Sequence, residues 1–591
     1  MRRILPLCAV LAAACGKEEP PPIAAPVMGP SPPVAKPRAC DPELPAEACK
    51  ARPGLHRCAA GEKAHAGAWR FALVGPLYGA VEDITRDELV AAWTSGKIAA
   101  GPLAKAMLEP ALGKGAVDLD PAKEPALGDK RWAIVPADAL APRWKVITVG
   151  GVHPLDGEAA ADALAVQLCA PGGQGGTGGT AARPVANVDR AKLTTIAMTG
   201  TTAPTRLTAQ LMEKKGVTYP ARDVAPWFAT SDFVHISNEV SFVPKCDTGT
   251  GKSTMSFCAK EGYIALLEAA QTKIVELTGN HLADYGRSWI PHTIEMYEKR
   301  GWLWFGGGRD QIEATAPRTL EHRGNTIAFL GCNKVHTTSR IITNGPDVGA
   351  CDLDRMEWQI RDLRKRGALV IVSIQHEEVY RHTPPDELVE DLRRLAAAGA
   401  AFVMGSQAHC PHPWEIHRGA YIHYGPGNLF FDQGWAPLWD AVQDKLYILD
   451  GRLLTVGHQY TRIEEKGRPR PMTAPERAEL LGRLARTGDR ITGAKPLAPL
   501  VEPADPGWRP DSFLVGTRQE RVRVWLPSPL DPKRTYPLVV DLRGKAPRDP
   551  EAITIVPRDP DASAELIAKF ALAKYPVDPA RVTPALKRPS K

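Results

Sequence analysis

The chain has 591 residues, 44% hydrophobic and 24% charged, with a formal net charge of +7. One core does not grow to that length, so about two to four domains are expected. Lys and Arg are scattered among Asp and Glu, which argues against a nucleic-acid partner.

The chain opens "MRRILPLCAVLAAACGK", two arginines followed by an apolar core of about ten residues, far short of the roughly 20 that cross a bilayer. Residues 1–15 therefore read as a signal peptide. "LAAAC" resembles the bacterial lipobox, which implies a diacylglycerol on Cys15 and an exported, membrane-anchored lipoprotein of the cell envelope. Residues 16–39 follow as a proline-rich tether. Export lets disulfides persist. Cys246 and Cys258 flank one loop and Cys332 and Cys351 another, so pairing within each is expected. Cys40, Cys49 and Cys58 form a cluster that pairs internally or with Cys169, and Cys410 is the expected thiol. No CxxC occurs, so a zinc ribbon is unsupported.

Residues 40–170 read as a small α/β domain. "TRDELVAAWTSG" has the pattern of an acid-capped helix, and "RWAIVPADALAPRWKVITVGG" that of two strands around a turn. The pieces weakly resemble a periplasmic phosphate-binding-protein-like domain. Residues 171–189 are a glycine-rich linker. Strands and helices then alternate over 190–465. Strand candidates are "LTTIAMTG", "DFVHISNE", "KIVELTGN", "NTIAFLGC", "ALVIVSIQ", "AFVMGSQ" and "AYIHYGPGN"; "PDELVEDLRRLAAAG" is an amphipathic helix. Such alternation implies helices covering a sheet. Residues 466–504 are expected as a connector and 505–591 as a tail.

Function in α/β sheets gathers at the carboxyl ends of strands. Those ends carry Glu239, Asn280 with His281, Gln375 with His376, Gln407 with His409, and Asn428. A lone histidine there is usually a hydrogen-bonded loop residue. Donors from five strand ends together suit a divalent metal.

"LTGNHLADYG" resembles the Asn-His-x-x-Asp-x-Gly block of the CapA family, the poly-gamma-glutamate capsule synthesis proteins. "MGSQAHCPHPWEIHRGAYIHYGPGNLFFDQ" is similar to the family's closing block, and "SNEVSF" to its acidic segment. The resemblance covers about residues 194–462. It implies an αββα sandwich of the calcineurin-like metallophosphatase type as central domain, beside the smaller N-terminal α/β domain and a short C-terminal accessory segment. It also implies that Glu239 and Asn280 bind metal, with His409 as a further ligand and His376 as another if the strand is read one residue out of register, and that His281 acts in catalysis with Asp284 fixing its tautomer. Manganese, zinc or iron would be the ion. Thr201 stands where the family has an aspartate, and Gln375 and Gln407 where it has histidines; with Asn428 they are expected to support the site. These replacements remove one negative charge and up to two imidazoles, so a single weakly held ion or none is compatible with them.

Two readings follow: a metal-dependent hydrolase of capsule or surface-polymer biosynthesis, or a scaffold that keeps the fold and binds a cell-surface polymer, polyglutamate or polysaccharide, without turnover. Other motifs fail. "TGTGKST" lacks the first glycine of a phosphate loop, and in "HEEVYRH" the histidines are six apart where a zinc protease helix needs four. "VRVWLPSPLDPKRTYPLVVDLRG" and "AKYPVDPARV" resemble pieces of an α/β-hydrolase, but no Gly-x-Ser-x-Gly follows them.

Overall fold

The computed structural model describes residues 40–119 (without 53, 60, 63 and 64), 132–170 (without 159 and 160), 184–247, 256–334, 341, 344–433 and 438–492. Beyond these it describes 507–515, 518–526, 535–541, 552–557, 564, 567–568, 571–572 and 577–583. Cys15, the tether 16–39 and most of the stretch 171–189 lie outside the described residues.

The first domain is built around the strand His65–Gly75, which pairs with Trp132–Pro136, Lys145–Val149, Ala165–Cys169 and Val185–Ala186. Trp132–Pro136 and Lys145–Val149 are thus joined through a common partner and not as a hairpin. The helix Arg86–Thr94 starts at a capping box, in which Thr85 and Glu88 satisfy each other's backbone N–H groups.

Two sheets make the central domain. The first runs in the order Leu303–Phe305, Thr272–Glu276, Phe233–Asn238, Thr194–Met198, Asp440–Leu449, Arg452–Glu465, Arg468–Pro471. The second runs Arg318–His322, Asn325–Asn333, Leu369–Gln375, Phe402–Gly405, Ala420–His423, Trp414–His417. Strands such as Leu369–Gln375 are buried along their whole length, as near-continuous apolar runs between two layers must be. Ile196, Met198 and Ile274 of the first sheet meet Phe329, Ile371, Phe402 and Met404 of the second in one cluster. The outer face of the first sheet, with Val234, Ile236 and Val275, packs on Met212, Ile290 and Ile294 from helices. The outer face of the second, with Val370, Val372 and Val403, is covered by Met356 and Ile360 and by Leu392 and Leu395. Four layers result, an αββα sandwich.

Residues expected as a connector belong to this domain. Arg468–Pro471 extends the first sheet, and the helix Ala474–Ile491 contributes Leu480, Leu481 and Leu484 to the cluster between the sheets. The first domain rests on the same antiparallel end: Ala72, Val74 and Val135 pack with Tyr447, Leu449 and Leu454, and Lys445 and Tyr447 donate to Asp156 at 2.9 and 2.7 Å. In the tail, five strands form a separate sheet over a small core that includes Val524, Leu538 and Ile555.

Disulfides join Cys40 to Cys49, Cys58 to Cys169, Cys246 to Cys258 and Cys332 to Cys351. Cys410 is a buried thiol. No helix among the described residues is long and apolar enough to cross a membrane.

Candidate functional site

Parallel strands of both sheets deliver their carboxyl ends to one cleft. Glu239 follows Phe233–Asn238, Asn280 lies just beyond Thr272–Glu276, Gln375 ends Leu369–Gln375, and Gln407 lies just beyond Phe402–Gly405. Gly279 makes the approach possible: a Cβ there would stand 2.3 Å from the Glu239 Cα, so only glycine lets the two strand ends touch.

Gln375 sits at the centre. Its Nε2 lies 3.0 Å from Glu239 Oε1 and 2.8 Å from Asn280 Oδ1, and also bonds Gln407 Oε1. An amide NH₂ has two hydrogens for these three oxygens, so the group attracts more positive charge than the amide supplies. The second carboxylate oxygen of Glu239 is buried with no hydrogen-bond partner. Burial raises the Glu239 carboxyl to about 8; Glu378, Glu276 and Asp284 push the same way, while His281 opposes them.

Two imidazoles stand beside this group, each fixed by a neighbour. His281 Nδ1 lies 2.7 Å from Asp284 Oδ2, which also accepts the Phe257 N–H at 2.8 Å. Nδ1 therefore carries the proton, leaving Nε2 for chemistry. Burial works against the charged His281 ring, but Asp284, then Glu239 and Glu378, hold its pKa above the ordinary value. The Nδ1 of His409 faces Asn428 Oδ1 at 2.8 Å. The Asn428 amide is oriented by its own donation to the carbonyls of His409 and Leu438. His409 Nε2 points to Glu378 Oε1 at 3.4 Å.

The remaining residues divide. Thr201 binds protein and not the cleft: its hydroxyl donates to the Ser406 carbonyl at 2.9 Å, and its backbone exchanges hydrogen bonds with Gly427 and Leu429. His376 lies apart from this group, in a second set of donors with Glu387 and Asp391 that stand close enough together to share a cation. Its ring is turned to Asp391 of the helix Asp386–Ala398, at 3.2 Å, where Lys334 already neutralises Asp391 and Glu387. Gln375 enters the cleft and its neighbour leaves it, because adjacent residues of an extended chain point to opposite sides. Glu378 was not anticipated, although the doubled glutamate in "QHEEVY" was its one signal. Arg206, Phe257 and Phe431 at the rim carried no local signal.

The donors fit one divalent cation and not a pair. Glu239, Asn280 and Gln407 turn three oxygens toward the Gln375 amide nitrogen, so an ion would take that place only with Gln375 swung aside, and the separate, unpartnered Oε2 of Glu239 is the kind of orphan such an ion satisfies. With Thr201 engaged elsewhere and His376 turned away, Glu239 is the one carboxylate among the described residues on that point, too little charge for two ions.

Residues 195–433 match the family model described as "Bacterial capsule synthesis protein PGA_cap". The capsule biosynthesis protein CapA of Bacillus anthracis is 24% identical over 305 residues, 50% of this chain and 73% of its own. The PGA biosynthesis protein CapA of Bacillus subtilis (strain 168) is 27% identical over 240 residues, 40% of this chain and 63% of its own, so the chain spans under two thirds of that relative. Among solved structures, a 5'-nucleotidase precursor from Thermus thermophilus aligns with a TM-score of 0.30 and 13% identity, over 52% of this chain and 61% of that one.

Proposed function

We propose, from the premise that this chain belongs through residues 195–433 to the bacterial capsule synthesis protein family, that it is an accessory of capsule or polyglutamate synthesis that engages an anionic surface polymer in the cleft around Glu239. One observation carries this reading: oxygens of Glu239, Asn280 and Gln407 converge from three strand ends on the amide nitrogen of Gln375, the place a cation would take if that side chain swung aside. Glu239, Asn280 and Gln407 would hold one cation. An all-oxygen set suits a hard ion, so of manganese, zinc and iron the first is favoured. When bound, the ion supplies Lewis-acid polarisation of an oxygen and a lowered pKa for its water. Around it, Asp284 holds the His281 proton at Nδ1, and Asn428 does the same for His409.

The protein works in the cell envelope, held to a membrane through Cys15. Four disulfides support an oxidising compartment.

The test uses the purified full chain with manganese and poly-gamma-glutamate. Retention of the polymer with about one equivalent of metal, lost on chelation and in Glu239→Gln, is the expected result. A second reading, hydrolysis, is favoured by the His281–Asp284 pair. Polymer shortening that stops in His281→Asn would replace binding by turnover. A chain that neither retains nor shortens the polymer sinks both.

A further inference from the structure

Arg206 is the first residue of the helix Arg206–Lys215 and has a φ of 46°, in the left-handed region that a bulky side chain rarely adopts. Strain of this kind persists only where the surroundings hold it. Here Asp432, 2% exposed in its side chain, accepts from Arg206 Nε at 3.0 Å and from Nη2, and its other oxygen takes the Leu207 N–H at 2.7 Å.

The guanidinium lies in the corner of two aromatic rings that meet edge to face, 4.7 Å from the centroid of Phe257 and 4.9 Å from that of Phe431. Those rings also carry the site's imidazoles. Phe257 packs on His281 at 4.1 Å between centroids, and Phe431 on His409 at 5.4 Å. Arg206 is thereby tied to the rim of the cleft by the side chains that seat its two histidines. Asp432 uses one edge of the planar group; the opposite N–H donors have no acceptor among the described residues, and the side chain is 18% exposed.

A purely structural ion pair needs no such placement. Two rings that wall the guanidinium on two sides, an acid that fixes its rotation, and a free edge make a preorganised fork for an oxyanion. We infer that Arg206 is the recognition residue for an oxyanion of the polymer, the carboxylate of a glutamate unit or the phosphate of a phosphate-linked chain, held at the rim while the adjoining backbone lies against Glu239 and His281. The inference rests on the proposed polymer-binding role.

The experiment compares the full chain with Arg206→Gln, Arg206→Lys and, as control, Arg222→Gln, an exposed arginine beside Asp223. The probes are a gamma-glutamate oligomer, the same oligomer with amidated side chains, and inorganic phosphate. Expected is at least a tenfold loss of affinity for the acidic oligomer or for phosphate in both Arg206 variants. The amidated oligomer should bind the parent chain weakly and be unaffected by substitution. Arg222→Gln should match the parent. Which anion responds identifies the source. Arg206→Lys leaves a cation on Asp432, so it carries the test if Arg206→Gln fails to fold. Parent-like binding of the acidic oligomer by the variants overturns the inference and leaves the accessory role intact. Equal losses for acidic and amidated oligomers also overturn it, because a structural role would do that. A folded parent chain that binds neither the oligomer nor phosphate overturns both readings.

Discussion

The amide nitrogen of Gln375 lies 3.0 Å from the Oε1 of Glu239, so the end of a strand in the second sheet closes onto a carboxylate at the end of the first. A histidine at that position would offer a metal ligand. The glutamine offers a hydrogen bond, which lowers the demand for a cation without removing it.

Glu239→Gln is therefore expected to weaken manganese binding at least a hundredfold, on the order of 3 kcal/mol, because it removes the one group on the shared point that can ionise to meet a cation. Gln375→His should tighten the metal about tenfold by adding a nitrogen donor beside the same oxygens. Titration calorimetry on chelator-stripped protein measures both, and parent-like affinity in Glu239→Gln would discard the site.

Gly279→Ala should damage the site more than the fold. Its methyl would meet the Glu239 backbone at 2.3 Å, and forcing two strand ends apart in a packed core costs about 1–3 kcal/mol. Metal and polymer retention should fall together, with the far-ultraviolet circular dichroism unchanged.

The disulfides should rank by the loop they close. Cys58 and Cys169 are 111 residues apart, Cys246 and Cys258 only 12. Serine pairs at the first position should cost about 1–2 kcal/mol more than at the second, on the chain-entropy account. The second pair should still impair binding, since Phe257 adjoins Cys258 and covers His281. Denaturant melts and polymer retention separate the two effects.

Acid should destabilise the chain through buried histidines. Burial lowers His382 to about 4 and His412 to about 3, from an ordinary 6.5. Both imidazoles are depressed, so as pH falls the unfolded chain binds protons first. Their contribution is complete above about 6.5 and is lost toward 4 and below, about 3 kcal/mol for His382 alone. Urea melts at pH 7, 5.5 and 4.5 should show this slope, and His382→Gln should flatten it by close to one proton.

Cys15→Ala should release the protein from the membrane fraction and abolish incorporation of labelled palmitate. Unchanged fractionation would discard the lipid anchor.

The sequence by itself determined the parts governed by local rules. Apolar runs such as "LVIVSIQ" became buried strands, leucines at helical spacing in "DELVEDLRRLAAA" became a helix on the second sheet, and cysteines flanking short loops joined to each other. Polar residues just past the apolar runs marked the strand ends, so Glu239, Asn280, Gln375 and Gln407 were legible as site candidates.

Tertiary structure decided what depends on pairing between distant segments. Strand geometry makes Gln375 and His376 face opposite ways, but only the docking of the sheets makes Gln375 the one inside. The hairpin Asp440–Leu449 and Arg452–Glu465, with the helix Ala474–Ile491, completes a core whose other members are spread from Ile196 to Tyr421, so 466–492 carried no sign of belonging to it. Arg206 gained its meaning from Phe257, Phe431 and Asp432, and no periodicity in a single segment encodes a contact between the start of a helix and two distant loops.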